Sequence, residues 1–138
     1  FNSAGFMVRD PDSITGDQDW LMYNVGYQCG FVGTEGKTTE NSSSVLTLIP
    51  TAGRFSGRLA VCRAGSSFRM FRYLDGETGW TETNAYVRND LPQTLDVGLL
   101  ANAWEVPASI RAEFDYIRLS VPADAAACST ASLNAQYP

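Results

Sequence analysis

The chain has 138 residues, a formal net charge of -5 and no histidine. This length allows one domain with a hydrophobic core and leaves no room for a second. The acidic balance disfavours nucleic acid as a partner, and the apolar runs are too short for membrane insertion. Because histidine is absent, any catalysis would rest on carboxylates.

Short segments with apolar residues at every second position recur along the chain, separated by Gly, Pro, Asn and Asp. This period predicts strands. The prolines fall outside the segments, where the missing N–H group removes no hydrogen bond between strands. The pattern therefore predicts an all-β fold. The predicted strands cover 4–9, 19–28, 44–49, 57–63, 67–74, 95–101 and 109–121.

The domain organisation follows from a change in composition near residue 122. Residues 1–122 carry the strand pattern, whereas 123–138 are rich in Ala and Ser and are interpreted as a tail that is either a short helix or a linker. The opening residues, 1–5, are typical of a segment inside a folded domain. We interpret the chain as a mature or truncated fragment.

Alternation separates two faces of the hairpin formed by 57–63 and 67–74. Leu59 and Val61 share one phase, as do Phe68 and Met70, and these phases predict the core. The opposite phase of the second strand is a mixed basic and aromatic face that we expect to be exposed. It consists of Arg69, Phe71 and Tyr73.

The three cysteines, Cys29, Cys62 and Cys128, allow at most one internal disulfide. An oxidising compartment would make an exposed free thiol a liability, so we expect one pair to form. Cys29 follows a predicted strand and Cys62 lies on the non-core phase of another. This placement favours a Cys29–Cys62 disulfide over a pair with Cys128.

Four sequence blocks occur in the order of a known family. They are AGFMVRD at 4–10, GRLAVCRAGSSFRMFRYLDGETGW at 57–80, LDVGLLAN at 95–102 and AEFDYIRLSV at 112–121. Together they resemble the concanavalin A-like lectin and glucanase sandwiches, in particular the LamG-like and laminarinase-type accessory domains of bacterial secreted proteins. The family usually has one or two strands before the first block, and the stretch 29–50 has no obvious match.

The resemblance implies a two-sheet antiparallel β-sandwich of jelly-roll type, lacking its first strands, in a secreted or cell-surface protein. It also implies which apolar residues lie between the sheets. The predicted core residues are Leu59, Val61, Phe68, Met70, Val97, Leu99, Phe114 and Ile117.

Arginines and aromatic residues near strand ends are candidates for binding sugars, because guanidinium groups bind hydroxyls and flat rings cover pyranose C–H faces. The alternative is that the arginines pair with acidic side chains and the rings pack in the core. Trp104 lies in a loop between two predicted strands, so we expect its indole to be exposed. The resemblance implies a structural role for Trp80. The candidate carbohydrate-binding residues are Arg9, Tyr23, Arg69, Phe71, Tyr73, Asn102, Trp104 and Glu105.

Four aspartates in one loop, Asp10, Asp12, Asp17 and Asp19, offer the oxygen ligands that Ca²⁺ prefers. The family includes calcium-bound members. The alternative interpretation is a solvated, turn-forming loop without a metal, since the spacing is not that of an EF-hand.

Glu113-Phe114-Asp115 is similar to the catalytic motif of the glucanases that share this fold, but Ile117 replaces the third carboxylate. We therefore expect no enzyme activity. The leading hypothesis is a carbohydrate-binding, lectin-like module with a glycan or polysaccharide as partner. The alternative is a structural or adhesive sandwich that pairs with another chain through an open sheet edge, and a glucanase-like hydrolase is third.

Overall fold

The computed structural model describes residues 2–14, 16–104 and 109–138. Within these residues the chain forms eight strands in two antiparallel sheets, which confirms the predicted all-β sandwich. A short α-helix, α1, follows near the C-terminus at Thr130–Gln136. The strands are β1 Asn2–Arg9, β2 Trp20–Gln28, β3 Phe31–Glu40, β4 Ser43–Pro50, β5 Gly57–Ala64, β6 Ser67–Leu74, β7 Thr81–Val87 and β8 Asp96–Ala103.

The larger sheet has the strand order β4-β3-β2-β1-β8, and the smaller has the order β5-β6-β7. Strand β5 packs against β2 and strand β7 against β3, so the smaller sheet covers only part of the larger one. Between the sheets lies a core of buried apolar side chains, whose burial stabilises the fold by about 1.5–3 kcal/mol for each large residue. This core contains Val8, Leu21, Tyr23, Phe68, Met70 and Leu91.

Two of the observed strands are absent from the predicted set. Strand β3 carries two glycines and several Thr and charged residues, and β7 reads TETNAYV, so neither has a clear apolar alternation. Their inward residues are polar because they contact polar groups of the facing sheet. Thr34 of β3 accepts a hydrogen bond from Arg72 of β6, and Thr83 of β7 lies 2.7 Å from the Tyr23 hydroxyl.

The core prediction is confirmed for one sheet and wrong for the edge of the other. Phe68 and Met70 are buried, and Leu59 and Val61 pack against them. Residues 97 and 99 lie opposite Val8 and Phe6 on the inward side of β8, as their phase requires. They are nevertheless 41% and 49% exposed, because the smaller sheet does not extend over β8.

The predicted strand at 109–121 is also not formed. The structure places these residues in an extended segment without a ladder to any described strand. Phe114 and Ile117 are exposed rather than buried, so the core prediction is wrong for both. The apolar alternation that suggested a strand is real, but the segment has no partner strand within the described residues.

The disulfide joins Cys62 of β5 to Cys128, with the two Cα atoms 5.4 Å apart, and Cys29 is a free, exposed thiol. The predicted Cys29–Cys62 pair is therefore wrong. Cys62 faces away from the larger sheet, towards the side on which the C-terminal segment packs, whereas Cys29 lies at the turn between β2 and β3. The Ala/Ser-rich segment forms a short helix, α1, and no helix in the described ranges is long and apolar enough to cross a membrane.

Candidate functional site

The two sheets have outer faces of different character, and the predicted binding face is the covered one. Phe71 is fully buried and Tyr73 is partly buried, because α1 packs on the outer side of the smaller sheet through Leu133. Arg69 forms an ion pair with Glu82 of β7 and donates a hydrogen bond to the Cys128 carbonyl. The prediction that this face is open for a glycan is therefore wrong.

Hydrogen bonds hold the C-terminal segment on that face. The Trp80 backbone N–H donates to Asn134 Oδ1 at 2.8 Å, and its indole N–H donates to the Tyr137 carbonyl at 2.9 Å. A Cβ at Gly79 would lie 2.6 Å from Asn134 Oδ1, so the close approach depends on glycine there. Trp80 thus has the structural role that the family resemblance implied. We call this surface the covered face.

The outer side of the larger sheet is not covered by α1 and collects polar and charged side chains. The pairing register places alternate residues of neighbouring strands side by side on this surface. We call it the polar face. It includes Ser3, Arg9, Trp20, Asn24, Gln28, Glu35, Lys37 and Asn102.

Glycines make room for the polar side chains on this face. Asn24 lies directly opposite Gly5, and a Cβ at Gly5 would be 2.7 Å from Asn24 Oδ1. Ser3 lies opposite Gly26 in the same way, with 2.9 Å between the Ser3 Cβ and a Cβ built on Gly26. Because glycine has no side chain, the amide of Asn24 and the hydroxymethyl group of Ser3 lie close over the backbone of the neighbouring strand.

Several buried polar atoms of this face lack hydrogen-bond partners within the described part of the chain. They are both amide atoms of Asn24 and of Gln28, the Ser3 hydroxyl oxygen and Glu35 Oε2. Each such atom costs about 1–3 kcal/mol when it is left unpaired. Burial raises the pKa of the Glu35 carboxyl above its usual value, while the Lys37 ammonium and the nearby Gln28 amide act in the opposite direction.

An aromatic ring lies at one end of the polar face. Lys37 Nζ lies 5.2 Å from the centre of the half-buried Trp20 ring, a cation–π contact. Arg9 is directly opposite Trp20 in the β1–β2 pairing and opposite Asp96 in the β1–β8 pairing. The flat ring and the guanidinium group therefore lie side by side, and the amide of Asn24 lies about 13 Å further along β2 on the same face.

The predicted glycan residues fall in different places. Arg9 and Asn102 lie on the polar face, whereas Tyr23 faces the other side of β2 and is fully buried, so its assignment as an open binding residue is wrong. Its hydroxyl is bonded to Thr83, and burial raises its pKa to about 12. Trp104 directly follows β8 and is 71% exposed, which confirms its predicted exposure. Glu105 lies outside the described residues.

The aspartates predicted to bind Ca²⁺ are not gathered around one point. Asp10 Oδ1 accepts the Asp12 N–H, and Asp19 Oδ1 accepts the Asn41 N–H and pairs with the buried Arg88. Asp17 is exposed. Across the ranges that the structure describes, no group of three or more metal-ligating side chains forms. Calcium binding stays a prediction, and these contacts give it no support.

The candidate catalytic carboxylates lie on the extended segment. Glu113 forms an ion pair with Arg111, and both side chains are largely exposed, as is Asp115. These carboxylates are therefore solvated side chains on the surface of the segment. The expectation that the protein is not an enzyme stays a prediction.

Sequence reasoning missed the most informative residues of the polar face. Asn24, Gln28 and Glu35 belong to phases that were given no role, and Glu35 lies on the strand that was not predicted. The available signal was the pair of amides Asn24 and Gln28 in one phase of 19–28, combined with Gly5 in the preceding strand. Comparison with family models, curated proteins and solved structures finds no match for the chain. The concanavalin A-like resemblance therefore stays a prediction.

Proposed function

We propose that the protein is a non-catalytic carbohydrate-binding module of a secreted or cell-surface protein, and that it binds glycan on the polar face. The observation that supports this most is the group of buried, unpartnered polar atoms at Ser3, Asn24, Gln28 and Glu35 on the face that also carries the Trp20 ring. Proteins keep such atoms at a cost in stability where a polar ligand satisfies them.

The chemistry of the face fits sugar hydroxyls better than other ligands. The amides of Asn24 and Gln28 each supply both donors and an acceptor, which neighbouring hydroxyls of a sugar ring can match in pairs. Trp20 supplies a flat apolar surface for the C–H face of a pyranose. The net charge of -5 disfavours polyanions, so a neutral glycan is the preferred class.

A glycan reaches the amides by displacing the flexible side chains that flank them, Met22 and Lys37. Both lie on the same face, directly opposite each other in the β2–β3 pairing. Lys37 leaves the Trp20 ring when a sugar stacks there, and its ammonium then donates to a hydroxyl. The exchange of one contact for another keeps affinity modest, in the micromolar to millimolar range, which corresponds to about -4 to -8 kcal/mol.

A glycan array with the chain tests the proposal, followed by titration calorimetry with the best neutral oligosaccharide. Trp20→Ala and Asn24→Ala should each weaken binding by roughly tenfold or more, about 1.4 kcal/mol. Tyr27→Ala is the matched control, because Tyr27 is an exposed aromatic residue of the same strand on the opposite side. Equal binding by all three variants, or no binding to any glycan, would overturn the proposal.

Asn24→Ala gives the sharper result because stability and binding should change in opposite directions. Both amide atoms of Asn24 are buried and unpaired, so their removal should leave the free energy of unfolding unchanged or slightly higher. A residue with a purely structural role would lose stability instead. Chemical denaturation of the variant, measured without glycan, separates the two cases.

A further inference from the structure

The covered face holds the C-terminal segment largely through main-chain carbonyls of that segment. Arg69 donates to the Cys128 carbonyl at 2.6 Å. The Trp80 indole N–H donates to the Tyr137 carbonyl at 2.9 Å, and Arg58 donates to the same carbonyl at 3.2 Å and to the next one at 2.7 Å. Because every peptide carries such carbonyls, the same donors can hold any peptide that lies on this face.

Two side chains of the segment add specificity to these contacts. Leu133 is buried and packs against Phe71 and Trp80. The next residue, Asn134, accepts a hydrogen bond from the Trp80 backbone N–H and lies over Gly79, where a Cβ would be 2.6 Å from its Oδ1. The covered face therefore recognises an aliphatic side chain that is followed directly by an amide, in addition to a main chain.

The disulfide is the strongest link between the segment and the covered face. Helix α1 has seven residues, and isolated helices of that length are unstable in water. Leu133 is buried, but most of the helix is exposed, so few contacts oppose its release. The Cys62–Cys128 bond joins the segment covalently to β5 and keeps it at a high effective concentration over the face. Without this bond, we expect the segment to leave the face readily.

We infer that the covered face is a peptide-binding site, which the chain's own C-terminal segment occupies and which reduction of Cys62–Cys128 opens to a segment of another protein. The partner segment presents an aliphatic side chain followed by an amide, and its main-chain carbonyls bind Arg58 and Arg69. The rings of Phe71 and Trp80, which the C-terminal segment buries, supply the aromatic surface that is common at protein interfaces. The site lies on the smaller sheet, so it is independent of glycan binding on the polar face.

Thiol–disulfide exchange opens the site. Cys62 lies on the edge strand β5 and is half-buried, whereas Cys128 is buried. A thiolate of a dithiol reductant attacks the Cys62 sulfur and releases the Cys128 thiolate, and the second thiol of the reductant then displaces Cys62 from the mixed disulfide. Cys62 and Cys128 gain two electrons and two protons in total and become thiols, while the reductant becomes a disulfide.

Fluorescence anisotropy tests the inference with a labelled synthetic peptide of residues 124–138 that carries Cys128→Ser. The full chain carries Cys29→Ser, since Cys29 is exposed and could otherwise exchange with the pair. We expect saturable binding to the reduced chain and none to the oxidised chain. Equal binding to both forms, or no binding to the reduced form, would overturn the inference.

Asn134→Ala, placed in either molecule, gives matched variants that leave the covered face intact. In the chain it weakens the intramolecular occupant, so the labelled peptide should bind the reduced chain more tightly. In the peptide it removes the acceptor for the Trp80 backbone N–H, so binding should weaken by roughly fivefold. Equal affinities in all combinations would contradict binding at the covered face.

Amide hydrogen exchange of the chain alone shows whether reduction frees only the C-terminal segment. The N–H groups of Leu133 and Tyr137 donate to the carbonyls of Ser129 and Leu133, and they should lose protection on reduction. Amides of β2 and β6 should keep theirs. Unchanged protection at Leu133, or loss of protection throughout both sheets, would contradict a local opening.

A second copy of the chain is the competing occupant. Each copy holds its own segment at a high effective concentration over its own face, so an identical segment from another copy has no advantage. The reduced chain alone should therefore remain a monomer in sedimentation velocity up to submillimolar concentration. A dimer that forms only on reduction would assign the face to a second copy and contradict a separate protein as the partner.

Discussion

The covered face and the polar face start from similar residues and end in different states. Each has an arginine and an aromatic ring on the outer side of a sheet, but the C-terminal segment packs over only one of the two faces. On the covered face Arg69 meets Glu82, and Phe71 meets Leu133 of α1. On the polar face Asn24 and its neighbours remain unpartnered. Composition alone therefore does not distinguish a face that is covered from one that is not; the difference is whether another segment of the chain packs there and pairs with the polar groups.

The largest expected effect is on the covered face. Replacing both Cys62 and Cys128 by Ser should lower the free energy of unfolding by roughly 4 kcal/mol, because the disulfide closes a loop with a sequence separation of 66. Urea denaturation of the oxidised protein and the double variant measures the difference. Cys29→Ser is the control and should have no such effect. A difference below about 1 kcal/mol would contradict the view that this bond holds the C-terminal segment in place.

The second effect concerns the helix itself. Leu133→Ala removes the buried side chain that α1 places against Phe71 and Trp80, so it should cost about 2–3 kcal/mol. Ala131→Gly, at an exposed position of the same helix, is the control and should cost about 1 kcal/mol from helix propensity alone. Thermal unfolding of both variants measures the difference, and equal losses would show that Leu133 does not anchor the helix.

Removing the charge of a carboxylate should change the free energy of unfolding in opposite directions on the two faces. Glu35→Gln should raise the free energy of unfolding at neutral pH by about 1 kcal/mol, because the buried carboxylate has an unpaired oxygen, whereas Glu82→Gln should lower it by breaking the pair with Arg69. Burial raises the pKa of Glu35 in the folded state above its value in the unfolded state. The free energy of unfolding should therefore fall as the pH rises from the unfolded-state pKa to the folded-state pKa.

Stability curves of wild type and Glu35→Gln between acidic and neutral pH measure this effect. The wild type should lose stability relative to the variant as the pH rises above the unfolded-state value of 4.5. Parallel curves would mean that Glu35 is solvated or paired in solution.

The smallest effect on stability is expected at Trp104. Its indole is largely exposed, so Trp104→Ala should change the free energy of unfolding by no more than about 0.5 kcal/mol. Because Trp104 follows Asn102 of the polar face by two residues, the same variant should weaken retention on the glycan identified by array. Affinity electrophoresis through a gel that contains the glycan measures retention. A large drop in melting temperature would instead assign Trp104 to packing.

Much of the fold could be predicted because most strands alternate clearly. The inward phases of β5 and β6 identified Leu59, Val61, Phe68 and Met70 correctly. The sequence did not predict β3, whose inward residues meet polar groups of the other sheet. Nor did it show that Val97 would be uncovered, since exposure there depends on how many strands the facing sheet has.

The candidate site was harder to predict because strand register decides which of its residues lie next to each other. Asn24 matters because it lies opposite Gly5 of β1 and opposite Glu35 of β3, and both relations depend on the exact register between neighbouring strands. The Cys62–Cys128 pair depends in the same way on where the C-terminal segment packs. Only Arg9, Asn102 and the exposure of Trp104 were anticipated.

The chain offers a direct test of which face binds glycan, because its three tryptophans lie in three different surroundings. Fluorine NMR of the protein labelled with 5-fluorotryptophan, assigned by single Trp→Phe variants, resolves Trp20, Trp80 and Trp104 separately. During titration with neutral oligosaccharides, we expect the Trp20 resonance to shift in a saturable manner while the Trp80 resonance does not move. A shift at Trp80 without one at Trp20, or no shift at Trp20 with any oligosaccharide that the chain retains, would contradict the assignment of the polar face.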